Sequence, residues 1–556
     1  MKERSFKNSV VYQIYPRSFQ DSNSDGIGDL AGIKQRIPYL KKLGIDVVWL
    51  NPIYRSPDVD NGYDISDYRD IQPVFGSMKD FDSLLSELHE AGIKLMMDLV
   101  VNHTSNQHKW FQESKKSKEG PYSNFYIWRD PVNGHEPNNW GSIFSRSAWT
   151  YVPERKQYYL HLFASEQPDL NWDNPQVRQE VYDIMKSWLN KGVDGYRLDA
   201  INLISKPDGL PDAPQAEGAN YGNVQSIVSC GPHFEEYIRE MNENVLSHYD
   251  VMTVGEMDNT SPEQARNYAN LDGKELNMIF QFEHVNLSPN PNPALGKWND
   301  EPVKLVELKQ VLSHWEEALD GQAWNSLYWN NHDQPRAVSR FATDEPKYRK
   351  RAAKMLGTTL HMMQGTPYIY EGEEIGMTNA HFTSLKQYED LDSINAYHEC
   401  VEEQNLVSSQ KMLSYLADRS RDNSRTPMQW NNKRNAGFSN GEPWFDLNAN
   451  YKEINVEESL ADPDSVLYYY KKLIELRHKY DIIQKGDYVL LDPEDQKAFA
   501  YKRHYQGEEL LVISNFTSEA ISRNYGQENA RKLLVSNYSD DKQNELRPFE
   551  SKAYLI

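Results

Sequence analysis

Residues 177–200, VRQEVYDIMKSWLNKGVDGYRLDA, place one helix pattern directly before one strand pattern. The first part has the amphipathic spacing of a helix and ends at Gly192, which is expected because glycine is favoured where a helix terminates. The second part is a short apolar and aromatic run, typical of a buried strand, that leads into Asp199. A helix that leads into a strand is the repeating unit of parallel α/β sheets.

The same unit recurs along most of the chain. The other apolar runs are separated by stretches long enough for a helix, and one of these, FDSLLSELHEAG at 81–92, again ends at glycine. Eight strands that alternate with helices predict an α/β fold, a TIM (β/α)8 barrel. The eight runs are VVYQIYP (10–16), DVVWLNP (46–52), KLMMDLVVNH (94–103), GVDGYRLDA (192–200), YDVMTVGE (249–256), NMIFQFEH (277–284), SLYWNNHD (326–333) and GTPYIYEGEE (365–374).

Two segments depart from this alternation. The connection between the third and fourth strands is far longer than the few residues usual for such a loop, so residues 104–172 are predicted to form an inserted subdomain beside the substrate pocket. Residues 481–556 contain alternating strands without a helical period, which predicts a C-terminal antiparallel β domain of sandwich form. The barrel is then built from residues 1–103 and 173–480.

The composition of the chain indicates which kinds of molecule it binds. The 556 residues include 82 acidic and 60 basic side chains, a formal charge of -22, which disfavours nucleic acid and anionic lipid and favours a small neutral ligand. The N-terminus has no apolar region followed by a cleavage site, and no apolar run is long enough to span a membrane, so a cytoplasmic protein is expected. Monomer and homodimer both remain open.

Four acidic residues stand where predicted strands end, and the active sites of TIM barrels lie at that edge. They are Asp98, Asp199, Glu256 and Asp333. Glycoside hydrolysis needs one carboxylate to attack the anomeric carbon and one carboxylic acid to protonate the leaving oxygen. Arg197 precedes Asp199 by two residues, hence on the same strand face, where it would keep that carboxylate ionised. This favours Asp199 as nucleophile and Glu256 as acid.

Two histidines accompany these acids. His103 and His332 follow predicted strands and suit hydrogen bonds to sugar hydroxyls, although a purely structural role remains open for each. No repeated histidine spacing suggests a catalytic metal, so no catalytic cofactor is expected.

Several motifs together resemble one family. DLVVNH (98–103), GYRLDA (195–200), GEM (255–257) and NNHDQPR (330–336) stand in the order and spacing of the α-amylase superfamily, glycoside hydrolase family 13. QPDLNW (167–172) resembles the oligo-1,6-glucosidase and α-glucosidase branch of that family, as does SRDNSRTPMQW (420–430). The resemblance covers nearly the whole chain.

The resemblance implies roles for individual residues. Asp199 would be the nucleophile, Glu256 the acid/base and Asp333 the stabiliser of the transition state. Phe144 and Phe163 would flank the glucose-binding subsite, although packing within the insert remains an alternative for such aromatic rings. The complete set of predicted substrate-binding residues is Asp60, Tyr63, His103, Phe144, Phe163, Gln167, Arg197, Ala200, His332 and Arg421.

An acidic loop near the N-terminus predicts a cation site. Its oxygen-bearing residues alternate around Gly26, like the first nine positions of an EF-hand, but Gly32 stands where the bidentate acid of an EF-hand would be. The resemblance implies a structural Ca²⁺ or Mg²⁺ remote from the chemistry, and a solvated Asx-turn loop is the alternative. The predicted ligands are Asp21, Asn23, Asp25, Ile27 and Asp29.

The residue after the nucleophile bears on linkage. Members of the resembling branch that prefer α-1,6 bonds typically have Val there, and those that accept α-1,4 bonds have a smaller or hydroxylated residue. Ala200 therefore favours maltose and malto-oligosaccharides as the expected substrates. Oligo-1,6-glucosidase and trehalose-6-phosphate hydrolase activities remain alternatives. A non-catalytic amylase-like binding protein is an alternative from another functional class. The presence of Asp199, Glu256 and Asp333 argues against it.

Overall fold

The computed structural model describes residues 5–144 and 146–556, and its centre is a sheet of eight parallel strands. In chain order we number these strands β1 to β8, and along the sheet they follow the order β6-β5-β4-β3-β2-β1-β8-β7. The predicted α/β barrel is therefore confirmed. Their bounds are Val11–Ile14, Val47–Leu50, Lys94–Val100, Gly195–Asp199, Met252–Glu256, Met278–Phe280, Ser326–Leu327 and Thr366–Tyr370.

The first and last strands of this order come together, which closes the barrel. The Ser326 hydroxyl on β7 donates to the carbonyl of Ile279 on β6 at 2.6 Å. Inside, aromatic rings fill the space between the strands: Trp49 stacks on Phe280 at 5.5 Å between ring centroids, and Phe280 meets Tyr368 edge-on at 4.6 Å. The interior is thus a packed core, and any ligand site must lie at an end of the barrel.

Helices cover the outside of the barrel between consecutive strands. The helix Pro175–Lys191 begins at Asn174, whose side chain accepts the Gln176 N–H, and ends at Gly192 in the left-handed conformation, as the sequence predicted. Its buried face carries Val181, Met185 and Trp188. The principal barrel helices are Leu30–Gln35, Ile37–Leu43, Met78–Glu90, Pro175–Lys191, Phe234–Asn244, Pro262–Tyr268, Leu305–Leu319, Arg349–His361 and Val466–Lys479.

The predicted insert between β3 and β4 holds a small antiparallel sheet. Gln157–Leu160 is its central strand, flanked by Trp128–Arg129 and Trp149–Val152. Trp140, Trp149 and Leu162 of the insert share one apolar cluster with Ala200 and Leu203, which follow β4. The insert is thereby fixed against the segment that carries the predicted nucleophile.

A second elaboration follows β8, within the segment that the sequence assigned to the barrel. It contains the helices Leu391–Tyr397, Ser409–Arg419 and Asp422–Arg425 and a π-helical segment, His398–Glu403. It has its own apolar cluster, which includes Leu295 and Trp298 from the loop after β6. We call residues 376–455 the β8 subdomain.

The C-terminal region is antiparallel, as predicted. Its five-stranded sheet consists of Asp487–Leu491, Ala498–Tyr505, Glu508–Asn515, Ser551–Leu555 and Lys532–Ser536, in that spatial order, and a two-stranded ribbon accompanies it. A buried ion pair between Arg503 and Glu316, 2.6 Å long, joins the sheet to the barrel helix Leu305–Leu319. Within the described ranges, none of the helices has the length and apolarity that a membrane span requires.

Candidate active site

One buried guanidinium organises the carboxylates at the carboxyl ends of the strands. Arg197 on β4 has no exposed side-chain surface and lies 2.8 Å from Asp98 of β3, 2.6 Å from Asp199 and 2.8 Å from Glu256 of β5. Three of the four predicted strand-end acids thus meet around a single cation. The fourth, Asp333, lies beyond β7, and its Oδ2 is 3.0 Å from Nε2 of His332. That nitrogen is also 2.7 Å from the Tyr63 hydroxyl, which donates to Asp98.

The charge balance of this group favours retention of a proton. Burial raises the pKa of Asp199 well above its usual value, and the Glu256 and Asp98 carboxylates add to this rise. Arg197 lowers the pKa but is outweighed, so the expectation that Arg197 keeps Asp199 ionised does not hold while all three carboxylates are charged. The neighbouring carboxylates in turn raise the pKa of Arg197, which stays charged. One cation facing two buried carboxylates and a half-buried third suits a site that needs one ionised acid and one protonated acid at the same time.

The backbone after β4 also holds Glu256. The Ala200 N–H donates to Oε2 of Glu256 at 2.9 Å, and Ala200 itself has φ +42 and ψ +35, in the left-handed region. This conformation is uncommon for residues other than glycine and is costly for β-branched ones. The tight turn therefore couples the position of the predicted acid to the residue next to the predicted nucleophile.

Asp333 lies in a second charged group. Its Oδ1 accepts from Arg421 at 3.0 Å and from Arg425 at 2.8 Å, and its Oδ2 is 3.0 Å from Nε2 of His332. Burial alone would raise the pKa of Asp333, but His332, Arg421 and Arg425 together hold it well below its usual value. Behind the arginines, Asp390 accepts from Nε of Arg421 at 3.0 Å.

The predicted subsite residues also converge. The Gln167 amide donates to Asp60 at 3.0 Å and is 3.2 Å from Nε2 of His103. Burial raises the pKa of Asp60 to about 7, against the influence of Arg421, and lowers the pKa of His103 to about 4. These polar groups form one side of the site, between β3, the insert and the loop that carries Asp60.

The aromatic residues close the other side. The Phe163 ring is 5.1 Å from that of His103 and 5.5 Å from that of Phe144, and the Arg421 guanidinium lies 5.2 Å from the centre of the Phe144 ring. Tyr63 stacks on the His332 ring at 5.4 Å. All the residues predicted to bind substrate therefore surround one region, while their roles toward a sugar stay predictions.

Sequence reasoning missed several members of the site. Asp390, in the β8 subdomain, stands in none of the quoted motifs, and Arg425 lies within SRDNSRTPMQW but received no role. Gln13 and Asn51 belong to predicted strands and hydrogen-bond to each other in the buried site. Gln13 and Asn51 could have been found because they are polar residues within otherwise apolar strand runs. No comparable signal in the sequence marks Asp390.

The predicted cation loop is held together by its own backbone. Asp21 accepts from the N–H groups of Asn23 at 2.8 Å and Ser24 at 2.7 Å, and Asp25 accepts from Ile27 at 2.9 Å. Asp29 caps the next helix through the Gly32 N–H. Across residues 5–144 and 146–556, no group of three or more His, Cys, Asp or Glu side chains is placed to hold a metal ion. The cation site stays a prediction.

Removing the Asp390 carboxylate should destabilise the fold. Asp390→Asn removes the carboxylate that Arg421 and Arg425 share and leaves them Asp333 and, for Arg421, the more distant Asp60. This should cost about 3 to 5 kcal/mol of unfolding free energy at pH 7. Burial would raise the pKa of Asp390, yet Arg421 and Arg425 lower it below the unfolded value near 4. Its contribution is therefore complete above about pH 4 and is lost as the pH falls further.

Denaturant unfolding of the two proteins between pH 7 and about pH 3 measures this difference. Glu113→Gln, in the exposed pair with Lys116, is the matched control and should change stability by less than about 1 kcal/mol. An equally small loss for Asp390→Asn would contradict the stabilising role of Asp390.

Comparison with known proteins identifies the family. Residues 13–486 match the model of the alpha amylase catalytic domain. An oligo-1,6-glucosidase of Parageobacillus thermoglucosidasius is 53% identical and an alpha-glucosidase of Pediococcus pentosaceus 51% identical, each over 99% of both chains. The crystal structure of Bacillus licheniformis trehalose-6-phosphate hydrolase superposes with a TM-score of 0.92 at 47% identity over 99% of both chains. With its strand-end carboxylates assembled around Arg197, the chain belongs to the alpha-amylase family, glycoside hydrolase family 13, and is a glycoside hydrolase.

Proposed function

We propose that this enzyme is an exo-acting, retaining α-glucosidase that removes terminal α-linked glucose from short oligosaccharides. The observation that carries this proposal is the placement of Asp199 and Glu256 on adjacent strands, both in contact with Arg197. Double displacement needs two carboxyl groups close enough to act on one anomeric carbon. Relatives named oligo-1,6-glucosidase and alpha-glucosidase support a small sugar as the substrate.

In the first step, an Asp199 oxygen attacks the anomeric carbon while Glu256 gives its proton to the glycosidic oxygen. The carbon–oxygen bond breaks, the shortened sugar leaves, and glucose stays as an ester on Asp199. In the second step, Glu256 takes a proton from water, whose oxygen displaces Asp199 and restores the original anomeric configuration. Arg197 supports both steps, because it orients Asp199 and Glu256 without itself exchanging a proton.

Asp333 supports the oxocarbenium-like transition state. Its depressed pKa keeps it ionised, so it can accept hydrogen bonds from ring hydroxyls as the sugar distorts. Arg421 and Arg425 fix the carboxylate, and Arg421 also approaches Asp60 at 3.9 Å. A glucose ring bound there would meet charged acceptors and donors around its hydroxyls and the rings of Phe144 and Phe163 beside it.

The surroundings favour a pocket over an open cleft. The insert supplies Phe144 and Phe163 on one side, and the β8 subdomain supplies Arg421 on the other. The two contact each other, since the Asn395 amide donates to the carbonyl of Phe144 at 3.1 Å. A site closed by two subdomains suits removal of end residues from short chains.

Turnover of maltose, isomaltose, sucrose and trehalose-6-phosphate at equal concentration tests this function. We expect glucose release from the first two, with the α-anomer appearing first by proton NMR because the reaction retains configuration. Asp199→Asn and Glu256→Gln should fold normally and lose activity by at least about 1,000-fold.

Each other outcome has a defined meaning. Fastest cleavage of trehalose-6-phosphate would agree with the proposed mechanism but would contradict the proposed substrate. A β-anomer as first product would contradict double displacement. No release from any of the four sugars would leave the non-catalytic binding protein as the better explanation.

On linkage, we propose that the site accepts α-1,4 bonds as well as the α-1,6 bonds for which several relatives are named. The support is Ala200, whose small side chain leaves space beside the predicted nucleophile. One or two methyl groups change discrimination by only about 1 to 3 kcal/mol, so position 200 sets a preference between linkages and excludes neither.

Ala200→Val tests this preference. The added methyl groups should raise the ratio of kcat/KM for isomaltose to that for maltose by about tenfold. Because Ala200 has a positive φ, the β-branched residue should also lower stability, so melting is followed in parallel. Ala200→Ser, which adds no β-branch, is the control and should leave the ratio near that of the parent. An unchanged ratio for the valine variant would remove the linkage argument.

We also propose that Ca²⁺ or Mg²⁺ binds the loop 21–29, away from the chemistry. Support comes from its donor set, which offers only oxygen ligands, and from Gly26, whose φ of +89 makes the sharp turn. The carboxylates, which accept loop N–H groups, retain further lone pairs for a cation. Such a cation would stabilise the segment that leads into the first barrel helices.

Removal of divalent cations should therefore lower the melting temperature and leave the catalytic rate at moderate temperature nearly unchanged. Melting is compared after chelation and after addition of Ca²⁺ or Mg²⁺, with Asp25→Asn as the variant expected to lose the response. Equal melting temperatures with and without cation would contradict the proposal.

A further inference from the structure

A buried amide on β1 contacts a histidine of the active site. Gln13 is 1% exposed, and its Nε2 lies 2.9 Å from Oδ1 of Asn51 and 2.8 Å from Nδ1 of His332. Both neighbours are buried as well. Gln13 therefore joins β1 to residues that follow β2 and β7.

The orientation of the Gln13 amide follows from the charge on Asp98. Nδ2 of Asn51 points toward Asp98, at 3.4 Å, and donates to the Tyr63 hydroxyl at 2.7 Å. A carboxylate paired with Arg197 accepts hydrogen bonds, so Asn51 turns its amide nitrogen to Asp98 and its oxygen to Gln13. Gln13 must then present its NH₂ group, and the second hydrogen of this group points to Nδ1 of His332.

A second set of hydrogen bonds, on the other ring nitrogen of His332, indicates which nitrogen carries the hydrogen. The Tyr63 hydroxyl donates its only hydrogen to Asp98 at 3.0 Å, and burial raises the pKa of Tyr63 so that it keeps that hydrogen. Its oxygen therefore acts as an acceptor toward Nε2 of His332, 2.7 Å away. Asp333, 3.0 Å from the same nitrogen, is also an acceptor. Nε2 of His332 thus carries the hydrogen, and Nδ1 does not.

We propose that Gln13 is a positioning residue that holds His332 as a neutral imidazole with its hydrogen on Nε2, the nitrogen that faces the Tyr63 hydroxyl and Asp333. The proposal rests on the glucosidase function above, because it concerns the group that orients the predicted transition-state stabiliser. Gln13 acts through His332 and does not itself touch the sugar.

A neutral ring has a chemical advantage at this position. The transition state carries developing positive charge near the anomeric carbon, and an imidazolium nearby would oppose it. The groups that face His332 act in opposite directions: burial lowers its pKa, Asp333 raises it, and Arg197 and Arg425 lower it. Tyr15 and Tyr63 pack against the ring as neutral phenols. A donor at Nδ1 removes the remaining way for the ring to gain a second proton.

Gln13→Glu and Gln13→Met separate this role from packing. Glu has the shape of Gln but offers an acceptor to Nδ1, which should stabilise the imidazolium and raise the pKa of His332. The acid limb of the kcat profile on p-nitrophenyl α-glucoside should then move upward by at least one pH unit, so that kcat falls further below that of the parent as the pH drops. Activity should return as the pH rises.

Gln13→Met has nearly the same volume and cannot hydrogen-bond to the ring. It should lower kcat with little change in the position of the acid limb, and kcat should fall more than KM rises. If both variants lose activity equally with the pH profile of the parent, Gln13 serves only in packing and the proposal fails. A parental kcat and pH profile for Gln13→Glu would also overturn it.

Nitrogen NMR of the parent enzyme tests the proposal even if neither variant folds. In ¹⁵N-histidine-labelled protein, the signals absent from His332→Gln belong to His332, and Nδ1 should show the shift of an unprotonated ring nitrogen at neutral pH. A protonated Nδ1 would overturn the assignment. Failure of the parent to cleave any α-glucoside would instead contradict the proposed function and leave the NMR result standing.

Discussion

The arrangement of the active site depends on the burial of one charge, that of Arg197. A guanidinium without access to water must be paired with opposite charges, since an unpaired buried charge would cost several kcal/mol. Asp98, Asp199 and Glu256 meet this requirement from three adjacent strands. The same contacts orient the predicted nucleophile and acid, so one electrostatic constraint would serve both folding and the proposed catalysis.

A second charged group completes the site from the opposite side. Arg421 and Arg425 of the β8 subdomain lie between Asp333 and Asp390. Because the two arginines belong to a segment far along the chain, this half of the site forms only when the subdomain packs on the barrel. The Gln13 amide connects the two halves, as the network that begins at Asp98 ends at His332 beside Asp333.

Much of the fold could be predicted from local pattern. The strand runs, the helix that ends at Gly192 and the change of pattern before residue 487 follow from periodicity and capping, which act over a few residues. The strand-end acids could be predicted because a parallel barrel gathers the ends of its strands at one edge. The β8 subdomain was not separated from the barrel, because its amphipathic helix Ser409–Arg419 has the same pattern as a barrel helix and the rest is short helices and loops. Asp390 was missed with it.

The sequence by itself determined the barrel, the family and the identity of the acids at the strand ends. Tertiary structure decided which groups pair with them: that Arg197 contacts three carboxylates, that Asp390 lies behind Arg421, and that Gln13 faces His332. The physical reason is the separation along the sequence between the residues that interact. Helix and strand patterns are set between residues a few positions apart, whereas these charge and hydrogen-bond pairs join residues that are up to hundreds of positions apart and meet only when the sheet closes.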